Sequence, residues 1–193
     1  MRFLLLPLLL IAACAPVGGT DTSPVGNQTL LAYARPGTGI TLENKVNGET
    51  TTTRITAGQA RGPRGAYTDA SGKAGGFYPG CWGCGGNMVI EEASYAALWP
   101  LEQGKRVAFL RTAPDGKRSR MVITVVGTER ITTSAGSFET WVLDGRLESL
   151  DGAKYSAQVR AWWAPAPGWV VRAKGGDSLG NTLASEVVKF DRP

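Results

Sequence analysis

The sequence predicts an all-β protein: an antiparallel meander with one short helical insert. Three observations point there. Apolar residues recur at a period of two rather than about 3.6, threonine, valine, tryptophan and glycine are frequent, and turn signals punctuate the chain. No repeat of domain-building length is visible.

Taken in order, the first strands are expected at Thr29 to Ala34, Ile40 to Val46 and Thr50 to Thr56, the last two joined by the turn pair Asn47-Gly48. From Gly58 to Gly86 glycine and proline dominate, which predicts a long loop or a pair of short irregular strands. Glu91 to Leu98 has helix-forming composition with Pro100 just beyond it, so one or two helical turns are expected. The clearest strand is Met121 to Ile131, closed by the turn Ser134-Ala135-Gly136-Ser137. In Phe138 to Leu150, Trp141, Leu143, Leu147 and Ser149 share one parity while Asp144, Arg146 and Glu148 share the other. One face is therefore buried and one wet. Asp151-Gly152 turns the chain, Lys154 to Trp163 is the next strand, and Pro165-Ala166-Pro167-Gly168 stops it. Trp169 to Lys174 and Thr182 to Phe190 complete the meander, separated by Gly175-Gly176-Asp177.

The leader carries a different kind of information. Arg2 supplies a positive end, Phe3 through Ile11 an apolar stretch of signal-peptide length, and the stretch is too short to span a membrane as a helix. Leu10-Ile11-Ala12-Ala13-Cys14 resembles the lipobox of bacterial lipoproteins. That resemblance implies cleavage before Cys14, a diacylglyceryl group on its thiol and a further acyl chain, such as palmitate, on its new amine. Two or three chains hold a protein stably where one does not. Ala15 stands where an inner-membrane retention signal would place Asp, so the expected address is the outer membrane, with the domain facing the periplasm. The expected organisation is a signal peptide over 1–13, lipidated Cys14 with a flexible tether over 14–27, and a single β-rich domain over 28–193.

Charge adds little about partners. The formal sum is +5 for the chain and falls by one if Arg2 leaves with the leader, without a long basic block. Such a balance permits contact with anionic lipid or polymer, and gives no reason to expect nucleic acid as a partner.

Beyond the leader, three segments carry a second resemblance: Thr132 through Thr140, then Trp162-Trp163-Ala164-Pro165 with Gly168-Trp169-Val170-Val171, then Leu183 through Phe190. Together with the step Leu98-Trp99-Pro100-Leu101 leading to Gly104-Lys105, they resemble a family of uncharacterised periplasmic β-rich proteins. The resemblance covers roughly the last half of the chain. It implies a partly open β-barrel broadly like the lipoprotein carriers LolA and LolB.

Cys81-Trp82-Gly83-Cys84 is the one local constellation able to carry reactive chemistry. Covalent haem attachment needs His after the second cysteine, where Gly85 stands, and the chain has no histidine. A zinc site needs four ligands, of which this pair supplies half unless carboxylates or a second copy complete it. A thioredoxin-like centre would sit at a helix start in a βαβ unit, whereas Pro79, Gly80, Gly83, Gly85 and Gly86 predict a loop. A structural disulfide formed on export is the favoured reading, worth about 2 kcal/mol for so small a ring.

Absence of histidine removes Ser-His-Asp, Cys-His and zinc-peptidase arrangements. Glu91-Glu92 is the single adjacent acidic pair, but neighbours on a strand or helix point apart. No Gly-Lys-Ser or Gly-Lys-Thr phosphate loop is present, and no metal or cofactor is expected. Trp141, Tyr155, Trp162, Trp163 and Trp169 form an aromatic set, read either as barrel core or as the wall of an apolar groove. The expectation is thus a non-enzymatic, membrane-anchored protein that binds an apolar or lipid-like ligand or docks to an envelope assembly. A thiol-redox or metal-linked role for Cys81 and Cys84 is the alternative, and polysaccharide binding through exposed tryptophans a third.

Overall fold

A computed structural model describes residues 31–81, 83–152 and 154–191. Cys14, the signal peptide and the 14–27 tether lie outside them, as does Trp82. Eleven strands and one helix follow in chain order: β1 Gly39–Val46, β2 Glu49–Ala57, β3 Gly65–Asp69, β4 Ala74–Phe77, β5 Val89–Ile90, α1 Glu92–Ala96, β6 Arg106–Thr112, β7 Arg118–Thr133, β8 Gly136–Ser149, β9 Ser156–Ala164, β10 Trp169–Asp177 and β11 Thr182–Asp191. All the strands form one antiparallel sheet in the order β4-β3-β2-β1-β11-β10-β9-β8-β7-β6-β5. The sheet curls and stays open, so the fold is the partly open, nearly all-β barrel expected from the sequence.

Local chemistry explains most of the boundaries. Asn47 (φ 50°) and Gly48 (φ 92°) both take the left-handed conformation that a two-residue hairpin turn requires. At the β10–β11 turn, Asp177 Oδ1 accepts the backbone N–H groups of Leu179 at 2.9 Å and Asn181 at 3.0 Å, and the hydrogen bond from the Asn181 amide holds this carboxyl below the usual range. Asp69 does the same work after β3 by accepting from the N–H groups of Ser71 and Lys73.

Alternation then sorts side chains to two faces. Val125, Leu143, Ala161, Ala173 and Ser185 occupy one cross-strand row on the concave face and are all buried. Asp144, Arg160 and Lys174 form the neighbouring row on the convex face. Trp141, Leu143 and Leu147 face inward as their parity predicts.

The concave face is covered by the chain itself. β4 and β5 are the two edges of the sheet, and the segment joining them, with α1 and its sequel, fills the interior. Tyr78, Cys81, Cys84, Tyr95, Leu98 and Leu101 enter one core with Phe109, Ile123, Val125, Leu143 and Trp163. Tyr95 stacks edge-on against Tyr78 and Phe109, and its hydroxyl donates to the Pro79 carbonyl at 2.7 Å. A second core gathers Ile40, Ile55, Ile131, Trp169 and Val187 at the other end. The Gly86 N–H donates to Gly76 O at 3.2 Å, and Arg64 Nη2 to Gly86 O at 2.6 Å, so side chain and backbone bridge the gap beside edge strand β4.

Three differences from the sequence reading have physical causes. Residues 31–34 are not a strand: Ala32 packs on the first core and Ala34 on the second, while the Ala34 N–H donates to Gly168 O at 3.1 Å. The run is apolar because it packs, half-buried, between the two cores. β6 was not anticipated, because Ala108 and the 38% exposed Leu110 put apolar residues on its wet parity and blur the alternation. The glycine-rich region resolves into the short pair β3 and β4, so its two-strand form is the one adopted.

Two predictions follow from the buried interior. The indole N–H of Trp163 is buried without a partner, so Trp163→Phe relieves a desolvated donor as it loses area, whereas Trp163→Ala opens a cavity. Urea unfolding is expected to show a loss of about 3–5 kcal/mol for alanine and a clearly smaller loss for phenylalanine. Burial first, and the hydrogen bond to Glu92 Oε1 at 2.8 Å second, push the Tyr78 hydroxyl from its ordinary value near 10 up to about 12. The folded state keeps a proton that the unfolded chain releases, so this stability is full below pH 10 and is lost as pH rises through about 12. Urea midpoints measured across that interval are expected to fall less steeply in Tyr78→Phe.

Candidate functional site

The concave face is not completely filled. A cavity of about 210 Å³ lies beneath the cysteine turn, lined by Gly83, by Arg111 of β6, Met121 of β7, Gly145 and Leu147 of β8, and Ala157 and Val159 of β9, with Tyr155 just before β9. Its walls are apolar because these positions share the inward parity of their strands. The small residues Gly145 and Ala157 leave the space that larger side chains take elsewhere in the sheet.

Arg111 is the charged group in the lining of this cavity. It follows Val107 and Phe109 on the inward parity of β6, so a guanidinium sits where the pattern calls for an apolar side chain. Nε donates to Ser119 Oγ at 2.7 Å and Nη1 to Gly83 O at 2.8 Å. Among the described residues no carboxylate pairs with it, and burial lowers its pKa from the usual arginine value. Gly83 is required for this contact, since it has φ 77° and a Cβ there would come within 2.9 Å of Arg111 Nη1. Tyr155 donates its hydroxyl to Asp177 Oδ2 at 3.3 Å, and burial, then Asp177, raise its pKa.

The cysteines that frame the turn are joined by a disulfide. Both lie in the main core, 6% and 1% exposed. Thiol–disulfide exchange needs an approaching thiolate, and packing around this pair denies one access. No cluster of three or more His, Cys, Asp or Glu suited to a metal occurs among the described residues.

The aromatic candidates are dispersed. Trp141 and Trp163 belong to the first core and Trp169 to the second, where its ring lies 4.1 Å from that of Phe77. Trp162 is half-buried and donates its indole N–H to Glu129 Oε2 at 2.8 Å. Tyr155 alone of the five lines the cavity. Sequence reasoning missed Arg111, although a charge on the apolar parity of a strand was the available signal. Among the described residues no helix is long and apolar enough to cross a membrane.

Fold and cavity together define the class: an open antiparallel β-barrel, plugged by its own chain, with a small cavity on its inner side. Residues 91–184, just under half the chain, match a family described as a protein of unknown function (DUF3108). The match runs from the residue before α1 into β11 and contains most of the segments whose resemblance to uncharacterised periplasmic proteins was noted above. A Bacteroides fragilis protein described as exported, with a YmcC-like fold, has the same fold: 15% identity, TM-score 0.52, 85% of this chain and all of that one covered. The hypothetical lipoprotein YmcC of Escherichia coli aligns at 13% identity and TM-score 0.48 over 80% of this chain and 85% of its own. A protein described as a lipoprotein from Parabacteroides distasonis aligns at 13% and 0.49, over 86% of this chain and 100% of its own. No curated protein matches the chain.

Replacing both cysteines tests the turn. Cys81→Ala with Cys84→Ala is expected to fold, to unfold about 2 kcal/mol more easily from loss of the small ring, and to leave the rest of the sheet intact. Urea unfolding beside near-ultraviolet circular dichroism reads both effects.

Proposed function

We propose that this is a non-enzymatic lipoprotein of the bacterial envelope, anchored through Cys14 to the outer membrane and facing the periplasm, that binds an amphiphile in the cavity beneath the cysteine turn. The observation that carries this reading is Arg111: a half-buried cation with no carboxylate partner among the described residues, at the wall of a cavity that Met121, Leu147, Ala157 and Val159 also line, with Gly83, Gly145 and Tyr155. A buried unpaired charge is costly, and an anionic head relieves it while its apolar tail replaces water on the remaining walls. The volume holds roughly seven water-sized groups, which suits a short acyl segment with a carboxylate or phosphate head rather than a whole lipid. The lipobox, and the description of the similar Bacteroides fragilis protein as exported, support the envelope address.

The test is native mass spectrometry of the protein extracted gently from bacterial envelopes, followed by titration with a fluorescent fatty acid. Intact mass reads the lipid on Cys14 separately from a non-covalent adduct. Saturable binding is expected, weakened at least about tenfold in Arg111→Met, which removes a charge-assisted hydrogen bond but keeps the apolar stem. Gly145→Val is expected to block it by filling the cavity, because a Cβ at Gly145 meets no atom closer than 3.6 Å and the sheet tolerates it. Absence of any adduct, with no titratable binding, would sink the reading.

A further inference from the structure

The convex face of the sheet concentrates the charge of the molecule. Strand pairing aligns Arg106, Asp144, Arg160, Lys174 and Lys45 in one cross-strand row running from β6 to β1, and Arg146 follows in the next. Five cations and one carboxylate therefore share two adjacent rows and, with Glu148 beside Arg146, the net is three positive charges. Asp144 is already neutralised by Arg160 through two bonds of 2.7 and 2.8 Å, and Arg146 lies 3.1 Å from Glu148. Arg106, Lys174 and Lys45 have no ion-pair partner among the described residues, and all three are exposed. Four of the cations rim a shallow depression of about 530 Å³.

We propose that this face lies against the anionic phospholipid headgroups of the membrane. The inference rests on the anchored reading above for its setting, but its evidence is the charge row. Around the curled sheet the full row is an arc, but Arg106 and Lys174 rim the same depression and, four strand spacings apart, stand about 19 Å from each other. That is too long for one small anion and matches a plane carrying many. For the 14 residues expected as a tether over 14–27, flexible-chain scaling gives a typical reach of about 21 Å, so a domain anchored there stays beside the surface and its charge selects the face that meets it. Each cation near an anionic surface strengthens binding by about fivefold, an effect that salt screens.

The experiment uses the full chain with Cys14→Ser, so that no covalent lipid is needed, and measures cosedimentation with vesicles of phosphatidylcholine alone or mixed with phosphatidylglycerol. The leader with its cationic Arg2 is the same in parent and variants and cancels from the comparison between them. Binding is expected to favour the mixed vesicles, to fall as salt is raised, and to drop at least about twentyfold in Arg106→Glu with Lys174→Glu. The charge-matched control, Lys73→Glu with Lys117→Glu, places the same change in loops away from the row and is expected to bind like the parent. Equal losses in both variants, no preference for phosphatidylglycerol, or binding to soluble polyglutamate as tight as to mixed vesicles overturns the proposal. Failure here leaves the anchor untouched, since the mass of wild-type Cys14 is read independently.

Discussion

The structure depends on covering the concave side of an open sheet. Eleven antiparallel strands that curl without closing leave an apolar hollow and two edges, and water in either would undo the fold. Because β4 and β5 are those edges, the chain between them must travel from one side of the opening to the other. It does so by filling the hollow. Tyr78, Tyr95, Leu98 and Leu101 do for this barrel what a partner sheet does in a sandwich. The remaining features follow from that route: the disulfide fixes the turn where the segment bends, the Pro79 carbonyl is satisfied by Tyr95, and the cavity is the space left beneath the turn.

Much of this architecture was legible beforehand because long, half-buried strands write their faces into the sequence. β7 to β11 alternate clearly, and the turns between them carry Asn, Asp and Gly for stated conformational reasons. Legibility failed where burial and strand character part company. Residues 31–34 are apolar without being paired, and β6 is paired without being cleanly alternating. The segment from Tyr78 to Leu101 was readable as loop and helix, but nothing local in it says that it turns inward, since that depends on which strands become edges.

The site shows the same division. Tyr155 could be nominated for its type, whereas three of the four candidate tryptophans are core residues whose size fills the hollow. Arg111 becomes meaningful only when its parity is known, and parity needs the strand to be recognised first. The convex charge row is likewise invisible in a linear reading: its members are scattered from Lys45 to Lys174 and come together only through register. Gly145 and Val159 line both the inner cavity and the outer depression, so at that point a single layer of backbone separates an apolar compartment from a cationic surface.

The pairing of β1 with β11 sets an order on assembly. A chain is made amino end first, yet the strand that joins the β1–β4 meander to the rest of the sheet lies at the far end of the described residues. Until Thr182 to Asp191 arrives, β1 has only its own hairpin partner, and the inner faces of both halves stand open to water. A molecule built this way closes its sheet late, through contacts of the longest sequence separation among the described residues, which are the slowest to form. A chain lacking Thr182 to Asp191 would lose its joint and not merely its end.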